Sequence, residues 1–162
     1  IGPEGVGKSS LVSRVVYGSD NAIYDPKSLK RKSVTFEKSG VKLNADIFFL
    51  ELGSKGGEDK LLAGSNAIVI VSDVTNSHTL EEAEMLLKYT RAFSEKSVII
   101  LVGTKQDLRY EAQFWEEELK EVADRYKVTY ILTSAKTNAD SGRFLEGLVS
   151  SLSSKFLVKG KN

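Results

Sequence analysis

The sequence predicts an α/β domain: a mostly parallel central sheet with helices on both faces. Three observations carry this. The glycine-rich loop Gly2-Pro3-Glu4-Gly5-Val6-Gly7-Lys8-Ser9 opens directly into an amphipathic helical pattern. Three apolar, β-branched runs at 67–73, 97–103 and 128–132 have the composition of strands buried on both faces. Helical stretches separate these runs, and repeated βα units imply parallel strands joined by right-handed crossovers. With 162 residues, 41% of them apolar, one such domain over 1–162 can bury a real core.

The elements follow in order. Lys8 to Tyr17 is a helix, and Gly18 to Arg31 a polar loop. Ser33 to Lys38 alternates in polarity, Ser39-Gly40 is a turn, and Val41 to Leu50 returns, so the pair forms a hairpin. Between Gly53 and Ala67 there is room only for a short helix within Glu58 to Ala63. Ala67 to Asp73 is a buried strand. Thr79-Leu80-Glu81-Glu82 has the form of a capping box opening a helix that runs to about Glu95. Ser97 to Gly103 is the next buried strand, Phe114 to Tyr126 a helix, Val128 to Leu132 a strand and Ser141 to Phe156 the closing helix. Ile1 alone precedes the loop, whereas the motif requires a strand ahead of it. The chain therefore reads as a fragment of a longer protein, with that strand truncated.

Composition excludes several classes. The net charge is +1, with 23 Lys and Arg against 22 Asp and Glu, which argues against nucleic acid as a partner and offers no electrostatic reason for membrane binding. There is no cysteine, so disulfides and zinc–thiolate sites are excluded. The lone His78 sits in a polar turn and reads as a solvated surface residue, while Phe114 and Trp115 read as core anchors.

The opening loop matches G-x-x-x-x-G-K-[ST], whose backbone N–H groups cradle phosphate oxygens at a helix N-terminus. Glu4, Gly5, Val6, Gly7, Lys8, Ser9 and Ser10 are its candidate phosphate-contacting residues. Lys8 is placed to reach the β- and γ-phosphates, and the Ser9 hydroxyl to ligate Mg²⁺. Two polar segments follow buried strands at the ends where ligands bind in such sheets: Thr104-Lys105-Gln106-Asp107 and Thr133-Ser134-Ala135-Lys136. A carboxylate there matches the paired N1–H and exocyclic amine of guanine, a donor pair that adenine lacks. Asp107 is the candidate base reader. Lys105 is expected to lay its aliphatic stem along the base, and the Ala135 N–H to reach the guanine O6.

With these motifs in this order, the chain resembles the small GTPases of the Ras superfamily, and the resemblance covers essentially its whole length. Asp73-Val74-Thr75-Asn76-Ser77 is similar to the Rab-type segment, and Leu101 to Arg109 to a Rho-type one. The resemblance implies a P-loop NTPase G domain with GTP or GDP and Mg²⁺ as ligands. It also implies effector or regulatory proteins at the switch loops, and a role in vesicle traffic or signalling. The expected location is the cytoplasm, with membrane contact only through a tail or domain outside this chain. The terminal residues Leu157 to Asn162 carry no cysteine for a lipid.

Departures from the family cluster in the hydrolytic parts. Glu4 stands where a small residue is usual, adding bulk and negative charge beside the γ-phosphate and obstructing an arginine finger. In Tyr24-Asp25-Pro26-Lys27-Ser28, Lys27 replaces the threonine that completes the Mg²⁺ shell, with Ser28 a shifted substitute. Asp20 occupies the position of an aromatic on the guanine face, for which Tyr17 or Tyr24 could compensate. Glu51 and Gly53 stand for the second switch's aspartate and glycine, and Ser54 takes the place of the water-orienting glutamine. Lys8, Gly53 and Ser54 are what remains of the catalytic set. Two readings follow: a guanine-nucleotide switch with slow hydrolysis, or a pseudo-GTPase scaffold that keeps the fold without turnover. An ATP-using P-loop enzyme is a third, requiring both base-reading motifs to arise by chance.

Overall fold

The computed structural model describes residues 1–157. Along them run α1 (Lys8–Tyr17), β1 (Lys30–Lys38), β2 (Val41–Phe49), α2 (Asp59–Gly64), β3 (Ala67–Asp73), α3 (Ser77–Phe93), β4 (Val98–Thr104), a 3₁₀ turn (Gln106–Glu111), α4 (Glu116–Tyr126), β5 (Thr129–Leu132) and α5 (Asn138–Leu157). The residues 158–162, at the end of the cysteine-free tail, lie outside the described residues. Among the described residues no helix is long and apolar enough to cross a membrane.

The three buried runs pair in parallel, in the order β3-β4-β5, with Ala67 opposite Val98 and Gly103 opposite Leu132. Alternation along β4 sends its side chains to two separate cores. Ile99 and Leu101 pack with Ile68 and Ile70 of β3 against Leu87 of α3 and Leu119 of α4. Ile100 and Val102 face the other way and meet Leu11 and Val15 of α1 and Phe144 and Leu148 of α5. Ile70, Ile100, Leu101 and Val102 have no exposed surface, which is why these runs carry no polar alternation.

β1 and β2 form the expected antiparallel hairpin, from Lys30 opposite Phe49 to Lys38 opposite Val41. Its two-residue turn puts both Ser39 (φ 52°) and Gly40 (φ 76°) in the left-handed region, the geometry that matches strand twist. The hairpin is a sheet of its own among the described residues, not part of one continuous sheet. Ile1 lies against the open edge of β3, donating to the Val69 carbonyl (2.9 Å) and accepting from the Val71 N–H (3.0 Å). An apolar cleft of about 690 Å³ runs beside it, bounded by Phe49 of the hairpin, Val69 of β3 and Phe144 of α5.

Three helix starts differ from the sequence reading. α3 begins three residues early: Asn76, not Thr79, is its N-cap, accepting from the His78 N–H at 3.2 Å. The Thr79 hydroxyl is engaged by Asp73, accepting its N–H at 2.9 Å, and so does not cap. α4 begins at Glu116 because the Gln113 and Phe114 N–H groups are taken by the Val74 carbonyl, leaving Trp115 to receive Glu118 on its N–H (2.9 Å). α5 begins at Asn138, where Thr137 accepts the Asp140 N–H at 3.1 Å. Phe114 is buried and Trp115 packs against the same core, as expected, and His78 is exposed beside Glu81.

Candidate nucleotide-binding site

The glycine-rich loop joins Ile1, at the edge of β3, to α1, and its glycines do distinct work. Gly5 (φ 80°) and Gly7 (φ 95°) hold the left-handed backbone that turns the loop back on itself. At Gly2 the constraint is space: a Cβ there would sit 2.6 Å from the Val71 carbonyl oxygen. Val6 is buried, and its carbonyl lies 2.5 Å from the Thr104 hydroxyl, which is also 2.9 Å from the Ser72 carbonyl. The loop is thereby fastened to the ends of β3 and β4. The Lys8 ammonium donates to the carbonyls of Gly2 (2.7 Å) and Pro3 (2.6 Å). Burial lowers the Lys8 pKa, opposed by the carboxylates of Glu51 and Glu4. Glu4 and Ser9 are exposed and Ser10 half-buried.

The polar segments that follow β4 and β5 arrive at the same end of the sheet. Lys105 adopts a left-handed backbone (φ 62°) and spans from Asp73 Oδ2 (2.6 Å) to the Gly5 carbonyl (3.1 Å). Burial alone would raise the Asp73 pKa, but Lys105 and the Thr75 hydroxyl and N–H hold the carboxyl below its usual range. The 3₁₀ turn leaves Asp107 exposed, and the Ser134 hydroxyl donates to its Oδ1 at 2.5 Å. The Ser134 hydroxyl also receives the Lys136 N–H at 3.0 Å.

The first loop after α1 closes on the phosphate end. The Tyr24 hydroxyl lies 2.7 Å from the Ser9 carbonyl and 2.5 Å from Glu51 Oε1, while Ser9 donates to Glu51 Oε2 at 2.6 Å. Lys30 is buried, and all three of its ammonium donors meet loop carbonyls, at Asp25 (2.7 Å), Pro26 (2.9 Å) and Ser28 (2.6 Å). Its ammonium also sits 4.4 Å from the centre of the Tyr24 ring. Lys27 is exposed, its N–H on Asp25 Oδ1 (2.9 Å), and the Ser28 hydroxyl donates to the Asp25 carbonyl (2.8 Å). Gly53 is exposed, and Ser54 beside it is half-buried.

The Ras family model matches residues 1–154 of the chain. The chain belongs to the Ras family. Its relatives include Ras-related protein Rab-17 of Homo sapiens, 31% identical over 147 residues, covering 85% of this chain and 67% of that protein. Ras-related protein RABA1g of Arabidopsis thaliana is 30% identical and Ras-related protein Rab11B of Nicotiana tabacum 29%, each over 143 residues and 83% of this chain. The chain spans 64% of the length of those two. The Rab-like character read in Asp73 to Ser77 agrees with these relatives.

In this Ras-family domain, Gly5, Val6, Lys8, Thr104 and Lys105 are joined by direct hydrogen bonds or chain continuity, as are Asp107, Ser134 and Lys136. Ser28 is turned into its own loop. Tyr24 is directed to Ser9 and Glu51, beside the glycine-rich loop. Tyr17 stacks on it at a tilt, ring centroids 5.8 Å apart. Asp20, at the missing aromatic's position, is paired with Lys136 (2.9 Å) and Arg14 (3.3 Å). Lys136 is the first cause of the lowering of the Asp20 pKa. Arg14 and Lys30 went unremarked in the sequence. Nothing local distinguishes them from surface cations, since their partners are set by the tertiary fold.

Proposed function

We propose that this domain binds guanine nucleotide with Mg²⁺ and acts as a Rab-like switch that hydrolyses GTP slowly. The observation carrying the reading is convergence. Lys105 bonds the phosphate loop at Gly5, Thr104 bonds it at Val6, and the neighbouring Asp107 is braced by Ser134. Phosphate and base readers thus share one frame.

The residues suit the ligands. The left-handed Gly5 and Gly7 free loop N–H groups for phosphate oxygens, and Lys8 brings the cation. Among the described residues no group of three His, Asp or Glu side chains could hold a metal. Mg²⁺ would be held by the Ser9 hydroxyl, with the Glu51 carboxylate beside it, and by oxygens of the nucleotide. When bound, it supplies charge neutralisation at the phosphates. Asp107, Lys105 and Ala135 read the base.

Slow hydrolysis follows from departures in the glycine-rich loop and in both switch segments. Ser54 cannot span the reach of a glutamine to a water, Glu4 adds negative charge near the γ-phosphate, and Lys27 and Ser28 do not reproduce the missing threonine. Effector or regulatory proteins at the switch loops, a role in vesicle traffic or signalling, and a cytoplasmic location with peripheral membrane contact complete the proposal. The test is to denature the purified protein, identify released nucleotide by chromatography and measure turnover. Released GDP or GTP with slow turnover supports the reading, and turnover at the rate of intact family members contradicts it.

A specific observation favours the second reading, a scaffold without turnover. Ser9 donates to Glu51 and Tyr24 latches the loop to the same carboxylate, so the hydroxyl proposed for Mg²⁺ already has a protein partner. No released nucleotide, together with no measurable GDP binding, would favour it.

A further inference from the structure

We infer that Arg14 is a positioning residue for guanine, setting the base-reading loop and tying it to the first switch loop. This rests on the guanine-nucleotide reading above and concerns how that specificity is built. Arg14 lies on α1, about one and two-thirds turns after Lys8, yet its guanidinium reaches a segment more than a hundred residues away. Nε donates to the Ala135 carbonyl at 2.6 Å, Nη2 to the Lys136 carbonyl at 3.3 Å, and Nη1 to Asn138 Oδ1 at 3.3 Å. The remaining bonds go to the Gly18 carbonyl (2.9 Å) and to Asp20 Oδ1 (3.3 Å). Five contacts use the whole donor fork, and the side chain is only 14% exposed.

The consequence lies in the peptide between Ala135 and Lys136. Its carbonyl is held by Arg14 and its N–H by the Ser134 hydroxyl, so it is clamped at both ends. That same hydroxyl donates to Asp107. A continuous path therefore runs from the guanidinium through one rigid peptide to the base-reading carboxylate. Asp20 closes the other side, with one oxygen on Arg14 and the other on Lys136 Nζ. Asp20 also lies at the start of the loop that carries Tyr24, so base loop and switch loop are anchored on one cation. A lysine cannot reproduce this fork, because its ammonium is a point charge with three donors.

The test compares wild type, Arg14→Gln, Arg14→Lys and Asp20→Asn for release of a fluorescent GDP, for affinity toward GDP and IDP, and for inorganic pyrophosphate. IDP lacks the exocyclic amine, so the GDP-to-IDP ratio reports alignment of Asp107. Arg14→Gln is expected to release GDP roughly tenfold faster, the scale of one charge-assisted hydrogen bond. It should also narrow the GDP-to-IDP ratio severalfold and leave pyrophosphate affinity unchanged. Arg14→Lys should recover only part of the ratio. Asp20→Asn should accelerate release less and reduce its salt dependence. An unchanged ratio in Arg14→Gln, or equal losses for GDP and pyrophosphate, overturns the inference and makes Arg14 a plain structural brace. If wild type binds no GDP, the guanine reading itself has failed, a result distinguishable from loss in the variant alone.

Discussion

The Ser9 hydroxyl donates to Glu51 at 2.6 Å, and the other oxygen of that carboxylate takes the Tyr24 hydroxyl. One acidic side chain thus joins the glycine-rich loop, the loop after α1 and the segment after β2. Burial first, and then Glu51, push the Tyr24 pKa well above the ordinary tyrosine range, so the phenol stays protonated and donating.

Tyr24→Phe keeps the ring for Lys30 and Tyr17 but deletes the hydroxyl. The amides of residues 24–28 are expected to exchange with solvent several-fold faster, since one such bond is worth about 1 kcal/mol. Hydrogen exchange read by mass spectrometry checks this, and unchanged protection would show that the latch does not restrain the loop.

Lys30→Met removes an ammonium held by three carbonyls and the face of Tyr24. Three acceptors lose their partner, so a stability loss of about 1–3 kcal/mol is expected. Urea unfolding measures it, with faster exchange in residues 25–28 as the local signature.

Gly2→Ala forces a Cβ to within 2.6 Å of a backbone oxygen that belongs to β3 and cannot swing aside. The loop must lift, at an expected cost of about 1–3 kcal/mol, with GDP capture weakened in parallel. Gly64→Ala at the end of α2 is the control: its Cβ meets no atom within 4 Å, and its melting temperature should not fall.

Asp107→Asn converts one acceptor oxygen into a donor amide. Preference should move from guanine toward xanthine nucleotides, because xanthine presents a carbonyl where guanine presents its amine. Competition between GDP and XDP measures the shift, and retained guanine preference would remove Asp107 from the site.

The Asp73–Lys105 pair predicts a pH dependence. The folded carboxyl titrates below its ordinary value of 3.8, so the pair's stabilisation is present above that value and is lost as pH falls through the folded pKa. The stability difference between wild type and Lys105→Met should therefore be constant near neutrality and shrink below about pH 4. A difference that grows on acidification would contradict the pairing.

Sequence legibility followed the range of the forces involved. The 67–73, 97–103 and 128–132 runs were readable because burial on both faces leaves an uninterrupted apolar signal, and all three formed strands there to within one residue. Family membership was readable because the motifs that carry it, Gly2 to Ser9, Thr104 to Asp107 and Ser134 to Lys136, are each contained in a few adjacent residues. Helix starts were less so: Asn76 and Thr79 are both competent caps, and only the claim of Asp73 on the Thr79 hydroxyl decides between them. Lys30 and Arg14 were not legible, since their roles rest on backbone carbonyls that any residue supplies.

The division of β4 between two cores gives the molecule a mechanical bias. The helix behind the phosphate loop rests on the same apolar layer as α5, through Leu11, Val15, Phe144 and Leu148, while α3 and α4 are seated on the opposite layer. The helix that follows the glycine-rich loop is thus footed on α5. A loosening of that shared layer reaches the loop through its own helix, without passing through α3 or α4.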